Sequence, residues 1–441
     1  MSELNWPSAW TRRQLLARLG QLALASPFFM AMLGPSCGGS KTSGTVPPPP
    51  SLTDDQFLDQ LERAIFLFFW EQASATTGMI KDRALAAGND TSTVSSIAST
   101  GFGLTALCIG AQRGYMASAT IQARVLATLS YLLNELPQQQ GFFYHFVDKE
   151  TGARAFNSEV SSIDTSILLC GVLTCRQYFQ DPQIQSLATQ IYQRVDWQWM
   201  LDGGAAFSMG WTPESGFIPT RWDVYSELMM IYLLAIGSPT YPVPASAWQA
   251  FTRPLFSYNG ATYINNTSAP LFIHQYSHAW FDFRNKQDSY ANYFNNSVAA
   301  TQAHKQFCVA LAGQFSDYAS NLWGITASDS VNGYTVWGGP PAIGPIDGSV
   351  VPCAAGGSIP FLPADCIAVL RNIQSSYPRA VQRYGLVDAF NPLTGWYNQD
   401  VIGINSGITM LMAENQRTGL VWNTFMKNPE VVAAMAAVGL K

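Results

Sequence analysis

Residues 228–236 read LMMIYLLAI, and an earlier segment, residues 167–173, reads ILLCGVL. Each segment is apolar on every face that a helix could present, so each predicts a helix that is buried on all sides. Amphipathic patterns lie between and around them and predict helices with only one face against the interior. This alternation indicates inner helices that are sheathed by outer helices.

Helical periodicity continues through most of the chain after residue 51. The predicted helices cover 53–72, 95–113, 119–136, 162–179, 182–200, 222–236, 290–314, 363–376, 404–417 and 429–438. Strand patterns are few and short, at 142–147 and 333–337. The sequence therefore predicts an all-α fold, an (α/α)6 toroid with a loop-built cleft at one end. An α-solenoid is the alternative all-helical fold, but the sequence contains no repeat of fixed period.

The composition limits the kinds of partner that the protein binds. Of the 441 residues, 48% are hydrophobic and only 12% are charged, about half of the usual ~25%. The formal net charge is −5, and no basic stripe is present that could follow a nucleic-acid backbone. This balance predicts no nucleic-acid partner and favours a neutral, hydroxyl-rich ligand such as a glycan.

The first 51 residues have the composition of an export segment and a linker. Arg12 and Arg13 precede a short apolar run, a pattern that is typical of a twin-arginine signal. Cys37 ends a lipobox-like sequence, so residues 1–37 predict an export signal with a lipidated cysteine. Residues 38–51 are rich in Gly, Ser and Pro and predict a spacer. These features predict a periplasmic or outer-membrane-associated lipoprotein, tethered through Cys37, whose folded domain is residues 52–441.

Six cysteines remain after Cys37. Four of them lie in apolar helical patterns, which indicates buried thiols. Cys353 and Cys366 flank a loop rich in Gly and Pro, and they are the best candidates for a disulfide in an oxidising compartment.

Residues 209–240 combine aromatic side chains with carboxylates directly before the apolar run. The aromatic residues of this segment are Trp211, Phe217, Trp222 and Tyr225, and its carboxylates are Glu214, Asp223 and Glu227. Aromatic rings can stack on the C–H faces of a sugar ring, while carboxylates bind its hydroxyls or transfer protons. The segment therefore indicates a carbohydrate-processing site.

Glu227 is the first candidate for a catalytic carboxylate. The predicted helix would place it one turn after Asp223, so that both share a helix face. Asp223 fits a capping role as well as a substrate-binding role, because Thr220 precedes it by three residues. Asp164 follows Ser161 with the same spacing, so helix capping and catalysis are both open for Asp164. Glycosidases use two carboxylates on opposite sides of the scissile bond, which is the reason to consider a second one.

Two further clusters supply candidate sugar ligands. The segment 271–284 contains His274, Tyr276, His278, Trp280 and Arg284. The two histidines are four residues apart and could bind a metal from one helix face, but no Glu follows the first one as in HExxH. We interpret them as hydrogen-bond partners of sugar hydroxyls, with a purely structural role as the alternative, and we expect no metal or organic cofactor.

The second of these clusters is a Gly- and Pro-rich region that contains Trp323, Asp329, Trp337 and Asp347. Ordinary turn chemistry explains such aspartates equally well. A loop with this much Trp, Gly and acid is also typical of a cleft wall. Trp396 and Tyr397, close in sequence to Asp388 and Asp400, form a further candidate of the same kind.

With these residues in view, the chain resembles the bacterial glucoamylase-like domain family, which includes endo-β-1,2-glucanases of the glycoside hydrolase 144 type. The motifs that carry the resemblance are MGWTPE (209–214), WDVYSE (222–227), AIGSPT (235–240), HQYSH (274–278), WGITASD (323–329), AAGGSIPF (354–361) and YGLVDAFN (384–391). The resemblance implies an (α/α)6 barrel and an inverting glycosidase, with Glu227 as the general acid. The family's glucanases carry Asp-x-x-Glu where this chain has Ser161-x-x-Asp164.

The expected activity is hydrolysis of a β-glucan, β-1,2-linked, with Glu227 as acid and Asp347 or Asp164 as base. The aromatic and polar residues of the three clusters, Trp211, Glu214, Trp222, Asp223, His274, Tyr276, His278, Trp280, Arg284, Trp323, Asp329 and Trp337, are the expected substrate ligands. Two alternatives stay open: a catalytically weak glycan-binding lipoprotein and a periplasmic glucan-remodelling transglycosylase.

Overall fold

A computed structural model describes residues 52–267, 270–341 and 343–441. The predicted export signal at 1–37 and the spacer at 38–51 lie outside the described residues. Helices dominate the described part. The α-helices are α1 (Asp54–Glu71), α2 (Ile97–Arg113), α3 (Ser118–Asn134), α4 (Ser162–Tyr178), α5 (Pro182–Gln193), α6 (Trp197–Leu201), α7 (Met229–Ile236), α8 (Tyr293–Ala310), α9 (Pro352–Gly356), α10 (Pro363–Ser376), α11 (Gly403–Arg417), α12 (Leu420–Phe425) and α13 (Pro429–Ala437).

Strands are short and lie in the loops between helices. They are β1 (Arg83–Leu85), β2 (Val94–Ser96), β3 (Gln138–Gln139), β4 (Phe142–Phe143), β5 (Phe146–Asp148), β6 (Val160–Ser161), β7 (Gly210–Thr212), β8 (Gly216–Phe217), β9 (Leu255–Tyr258), β10 (Ala261–Ile264), β11 (Ala327–Ser330), β12 (Gly333–Val336), β13 (Val381–Gln382), β14 (Gly385–Leu386), β15 (Phe390–Asn391), β16 (Trp396–Tyr397) and β17 (Asp400–Ile402). The sequence predicted only two of these regions, because pairs of two or three residues leave no readable alternation.

An inner layer is formed by α2, α4, α7, two 3-10 segments (Leu271–His274 and Ser277–Ala279), α9 and α11. Glycines bring α2 and α4 into close contact: a Cβ on Gly101 would lie 2.5 Å from the Ile167 carbonyl oxygen, and one on Gly171 would lie 2.1 Å from the Gly101 carbonyl oxygen. Only glycine fits at either position. The missing side chains thus let the first two inner helices pack backbone to backbone.

The other inner elements touch in chain order. Helix α7 meets the second 3-10 segment, where the Met230 amide donates to Ser277 Oγ at 3.1 Å. Gln275 between the two 3-10 segments donates from Nε2 to the Ala354 carbonyl oxygen of α9 at 2.9 Å. Gly407 of α11 lies against Phe102 of α2, which brings the last inner helix back to the first.

The longer outer helices, α1, α3, α5, α8 and α10, each cover the inner layer with one buried face. A long loop connects each outer segment to the inner element that follows it. Short antiparallel pairs join these loops to their neighbours, as in β1 with β17, β2 with β5, and β6 with β7. The loops therefore meet at the end of the molecule where the inner elements begin, and any cleft that they form lies there.

Most predicted helices are confirmed to within two residues. Thr53 caps α1 with both bonds of a capping box: the Gln56 amide donates to Thr53 Oγ1 at 3.2 Å, and the Thr53 amide donates to Gln56 Oε1 at 3.0 Å. The prediction for 182–200 is wrong in one respect, since the chain breaks into α5 and α6. No helix among the described residues is long and apolar enough to cross a membrane.

The predicted disulfide is not formed. The cysteines of the described residues form no disulfide, and Cys353 and Cys366 are both buried in helices. The closest thiols that the structure brings together are Cys108 of α2 and Cys175 of α4, whose sulfurs are 3.7 Å apart.

A buried cluster of charges fastens α1 to α11, away from the loops. Arg417 at the end of α11 donates to Glu62 Oε2 at 2.6 Å and to Asp55 Oδ1 at 2.8 Å, and its side chain is only 3% exposed. Arg113 donates to Glu414 Oε2 at 2.8 Å. Burial, reinforced by the nearby Glu414 carboxylate, raises the pKa of Glu62 well above its ordinary value. The positive charge of the Arg417 guanidinium therefore offsets the repulsion between the buried Glu62 and Glu414 side chains.

We expect Arg417→Leu to lower the free energy of unfolding by about 3–5 kcal/mol, because it leaves Glu62 buried without its cation. Thermal or urea unfolding measures the change. Arg383→Leu is the matched control: its ion pair with Glu71 is exposed, so the expected loss is about 0–1 kcal/mol. Equal losses in the two variants would contradict the prediction, whereas partial recovery in Arg417→Leu/Glu62→Gln would support it.

Candidate active site

Glu227 lies two residues before α7, at the loop end of the inner layer, and it is only 2% exposed. Ser277 fixes this position by donating from Oγ to the Glu227 carbonyl oxygen at 2.7 Å while accepting from the Met230 amide. Behind Glu227, the side chains from Met229 to Ala235 are fully buried. The structure thus holds a carboxyl group between an apolar helix and the loop end of the molecule.

The predicted helix over 222–236 is wrong in its first half, because α7 begins only at Met229. The backbone before it bonds to distant loops instead: the Trp222 amide donates to the Phe207 carbonyl oxygen and the Tyr225 amide to the Thr252 carbonyl oxygen, both at 2.9 Å. Asp223 is consequently exposed, does not cap α7, and shares no helix face with Glu227.

Asp388 is a second buried carboxyl group at the loop end, between β14 and β15. Asn405 Nδ2 donates to Asp388 Oδ1 at 2.6 Å, and the Asp329 amide donates to Asp388 Oδ2 at 2.8 Å. Burial, reinforced by the Asp329 carboxylate, raises the pKa of Asp388 to about 7. A carboxyl group with a pKa near neutrality can accept or give up a proton at physiological pH.

Arg83 holds the carboxylate of Asp329, the charged group next to Asp388. This side chain of β1 donates from Nη1 to both carboxylate oxygens of Asp329, at 2.9 and 2.7 Å. Asn398 also donates to Asp329, at 3.0 Å. The carboxylate of Asp329, predicted as a substrate ligand, therefore already accepts from two donor groups, Arg83 Nη1 and Asn398 Nδ2. Its amide, by contrast, supports Asp388.

A short series of contacts connects the surroundings of Asp388 with those of Glu227. Asn405, the donor to Asp388, accepts from the Tyr276 hydroxyl at 3.5 Å. Tyr276 is bonded in the chain to Ser277, whose hydroxyl donates to the Glu227 backbone. Asn405, Tyr276 and Ser277 thus connect the Asp388 carboxyl group with the backbone of Glu227 at the loop end of the inner layer.

His145, Glu159 and Asp164 form a third group of buried polar side chains. His145 Nδ1 lies 3.3 Å from Glu159 Oε1 and 3.6 Å from Asp164 Oδ2. Ser161 caps α4 by accepting from the Asp164 amide at 3.0 Å, and its hydroxyl also contacts Asp164 Oδ2. The capping interpretation of Ser161 is confirmed, and the Asp164 side chain is directed to His145.

The predicted aromatic ligands fall into two sets. Trp211 is half-buried on β7 and its ring is 5.8 Å from that of Trp199, which in turn lies 4.8 Å from Phe217. Trp280 and Trp323 lie wholly in the core, where no sugar can stack on them, so the predictions for these two are corrected. Trp280 directly follows the second inner 3-10 segment, and Trp323 lies in the loop before β11, so their burial depends on packing that the sequence does not show.

Two other tryptophans are buried with their indole N–H groups satisfied. Trp222 donates to Ser162 Oγ at 2.9 Å, and Trp337 donates to Ser328 Oγ at 2.8 Å. Each is less than 5% exposed. Both stiffen the loops at the cleft end. They do not offer an open ring face to solvent, and the role of exposed platforms is corrected for them too.

His274 and His278 are interior residues. His274 contacts the Tyr225 hydroxyl through Nδ1 and Asn265 Oδ1 through Nε2, both at 3.3 Å. His278 Nε2 lies 3.1 Å from Ser297 Oγ. Burial lowers the pKa of each to about 3, so both are neutral. The structural role that the sequence left open fits these contacts better than binding of sugar hydroxyls does.

Three further predicted residues have identifiable local partners. Arg284 follows the inner 3-10 segments, is exposed, pairs with Asp282 at 2.9 Å and lies 4.1 Å above the Trp422 ring. Glu214 is exposed on the β7–β8 hairpin and pairs with Arg154. Asp347 accepts from the Ser349 amide at 2.8 Å, which is turn chemistry.

Residues 219–429 match the model of the Glycoamylase family, described as "Putative glucoamylase". The matched residues include Glu227 and Asp388, together with Asn405 that joins Asp388 to the inner layer.

The chain is similar to an exo β-1,2-glucooligosaccharide sophorohydrolase from Parabacteroides distasonis, with 28% identity over 86% of the chain. The chain spans only 57% of that relative's length. Among solved structures, the endo-β-1,2-glucanase from Chitinophaga pinensis, in complex with sophorotriose and glucose, has a TM-score of 0.82 and 27% identity, covering 89% of this chain and 99% of that one. A β-1,2-glucanase from Parabacteroides distasonis has a TM-score of 0.83 and 26% identity, covering 88% of this chain and 60% of that one.

Proposed function

We propose that this protein is a glycoside hydrolase that cleaves β-1,2-glucan with inversion of configuration. The observation that carries the proposal is the pair of buried carboxyl groups, Glu227 and Asp388, whose neighbours Ser277, Tyr276 and Asn405 connect them at the loop end of the inner layer. Relatives that cover nearly the same part of the chain are named as enzymes of β-1,2-glucans and their oligosaccharides. The six inner elements, touching in order, are the ring of the proposed (α/α)6 toroid.

In the proposed mechanism, Glu227 in its protonated form donates to the glycosidic oxygen as the C–O bond breaks. Asp388 takes a proton from a water molecule that attacks the anomeric carbon from the opposite face. The product carries the inverted configuration, and the two carboxyl groups return to their starting states by exchanging protons with solvent. No cofactor enters this scheme.

Asp388 is favoured as base over the two residues that the sequence suggested. Its pKa of about 7 keeps a substantial ionised fraction at neutral pH while giving the carboxylate more basicity than an ordinary aspartate has. Asp347 accepts from the Ser349 amide in a turn and is less buried than Asp388. Asp164 contacts both Ser161 and His145.

Substrate binding is assigned to the loop walls. The half-buried rings of Trp211 and Phe217 offer apolar surface beside the β6–β7–β8 sheet, and Glu214 and Asp223 are exposed near them. Tyr276 is buried, and its hydroxyl contacts Asn405, the donor to Asp388. A bound glucan would thus contact the aromatic rings of the loops and, deeper in the cleft, the two proposed catalytic carboxyl groups.

The test is a panel of β-1,2-, β-1,3-, β-1,4- and α-1,4-glucans with product analysis. We expect reducing sugar from β-1,2-glucan alone, with the new end in the α configuration when followed by NMR. Release of sophorose only would indicate exo action, and a ladder of oligosaccharides would indicate endo action. Binding without cleavage would support a glycan-binding lipoprotein, and products longer than the substrate would support a transglycosylase.

The proposed location is the periplasm or the outer membrane, with Cys37 as the attachment point of a lipoprotein. We expect the wild-type protein to fractionate with membranes and Cys37→Ala to be recovered in the soluble periplasmic fraction, since acyl chains supply the membrane affinity. Cys366→Ala, which removes a buried thiol of α10, is the control and should stay with membranes. Equal solubility of the wild type and Cys37→Ala would rule out the tether and leave the glycosidase proposal untouched.

A further inference from the structure

The side chains of His145, Glu159 and Asp164 point three potential ligand atoms at a single place. Each residue is at least nine-tenths buried, and one nitrogen and two carboxylate oxygens lie within 4.8 Å of one another. Each ligand is held by its own backbone: the His145 amide donates to the Glu159 carbonyl oxygen at 2.9 Å, and Asp164 is fixed by the Ser161 cap of α4. The group is therefore built before any ligand arrives.

The hydrogen bond between His145 Nδ1 and Glu159 Oε1 is long, and Asp164 Oδ2 lies slightly farther from the same nitrogen. A charged N–H donor and a carboxylate oxygen normally approach to about 2.7–2.9 Å. Here Nδ1 lies 3.3 Å from one oxygen and 3.6 Å from the other, and a single N–H cannot point at both. Tetrahedral zinc, with bonds of about 2.0–2.2 Å, keeps its ligand atoms about 3.3–3.6 Å apart.

We propose that His145, Glu159 and Asp164 bind a divalent first-row cation, with zinc as the best match. Imidazole and carboxylate are ligands that zinc accepts, and two carboxylates balance its charge. His145 would coordinate through Nδ1 in its neutral form with the proton on Nε2. The Ser161 hydroxyl, already against Asp164, is positioned to support the carboxylate from outside the coordination sphere.

Two neighbours keep the ligands in place. The Phe146 ring stacks on the His145 ring with centroids 3.8 Å apart, which fixes the plane of the imidazole. Gly210 faces Glu159, and a Cβ there would lie 2.7 Å from Glu159 Cγ. The missing side chain at Gly210 therefore makes room for Glu159 in the group.

The experiment is a calorimetric titration of Zn²⁺ into the full chain after treatment with a chelator. We expect one equivalent to bind and to raise Tm. In His145→Ala and Glu159→Gln the affinity should fall by more than about 100-fold, since even changes outside the coordination sphere cost 10–100-fold. Glu135→Gln, an exposed carboxylate after α3, is the control and should bind like the wild type. Co²⁺ in place of Zn²⁺ should give the intense visible absorption of a tetrahedral site.

Two outcomes would overturn the proposal: no binding to the wild type, or unchanged binding in both ligand variants. His145→Gln keeps the size of the side chain and replaces His145→Ala should that variant not fold. The readouts are metal content and Tm and do not include hydrolysis, so this proposal and the glycosidase proposal can fail independently.

Discussion

Glu227→Gln is expected to lower turnover of β-1,2-glucan by at least about 10²-fold without changing the fold, the usual scale for losing a positioned general acid. Glutamine preserves the shape of the side chain but cannot give up a proton to the leaving oxygen. Because the Ser277 bond is made to the Glu227 backbone, it survives the substitution and keeps the start of α7 in place. Initial rates and circular dichroism measure the two halves of this prediction.

The control for Glu227 is Glu214→Gln, which changes an exposed carboxylate of the same segment that is paired with Arg154. We expect this variant to alter KM more than kcat. A substrate with an acidic leaving group, such as an aryl β-glycoside of sophorose, needs little protonation, so it should lose much less rate in Glu227→Gln than the glucan does. Near-normal glucan hydrolysis by folded Glu227→Gln would remove Glu227 from the mechanism.

Asp388→Asn is expected to reduce kcat by about 10²–10⁴-fold, because no other group in the proposed scheme takes the proton of the attacking water. Azide needs no deprotonation, so it should restore part of the rate and give an azide product of inverted configuration. Asp347→Asn and Asp164→Asn are the comparison variants. Loss of activity in either one, together with azide rescue there and not in Asp388→Asn, would move the base to that residue.

The pH dependence of activity and of stability provides a second test of the role of Asp388. As a base it must be ionised, so wild-type activity should fall as the pH drops below about 7. The stability effect has the opposite sign: the pKa in the folded state lies above the ordinary 3.8, so the folded protein holds the extra proton and loses stability as the pH rises from about 4 to about 7. The slope is at most about 1.4 kcal/mol per pH unit and should vanish in Asp388→Asn.

Local patterns predicted the helices well because their causes are local. Pro363 opens α10, and the periodic apolar positions that follow carry the helix to the predicted end at Ser376. The segment before α7 failed for the opposite reason. Its amides are satisfied by carbonyl groups of Phe207 and Thr252, which only the folded chain brings near.

The residues of the candidate site also fall into those that local sequence reveals and those that only the folded chain brings together. Glu227 could be found in the sequence because its apolar helix follows it directly. His145 could not, since Glu159 and Asp164 reach it only through a hairpin and the first turn of α4. Asp388 stands in a motif, but its raised pKa depends on burial and on Asp329, which lies 59 residues away in the chain. No spacing rule contains that information.

The contact between α11 and α2 has a consequence for how the molecule comes apart. Every other contact of the inner layer joins elements that follow each other in the sequence. The contact between α11 and α2 instead joins the last inner element to the first. At this junction Gly407 of α11 packs directly against Phe102 of α2. The guanidinium of Arg417 also forms an ion pair with Glu62 of α1. A buried ion pair stabilises a contact strongly only while both partners stay in place. The domain should therefore open first at this contact, and opening should disturb the alignment of the two proposed catalytic carboxyl groups.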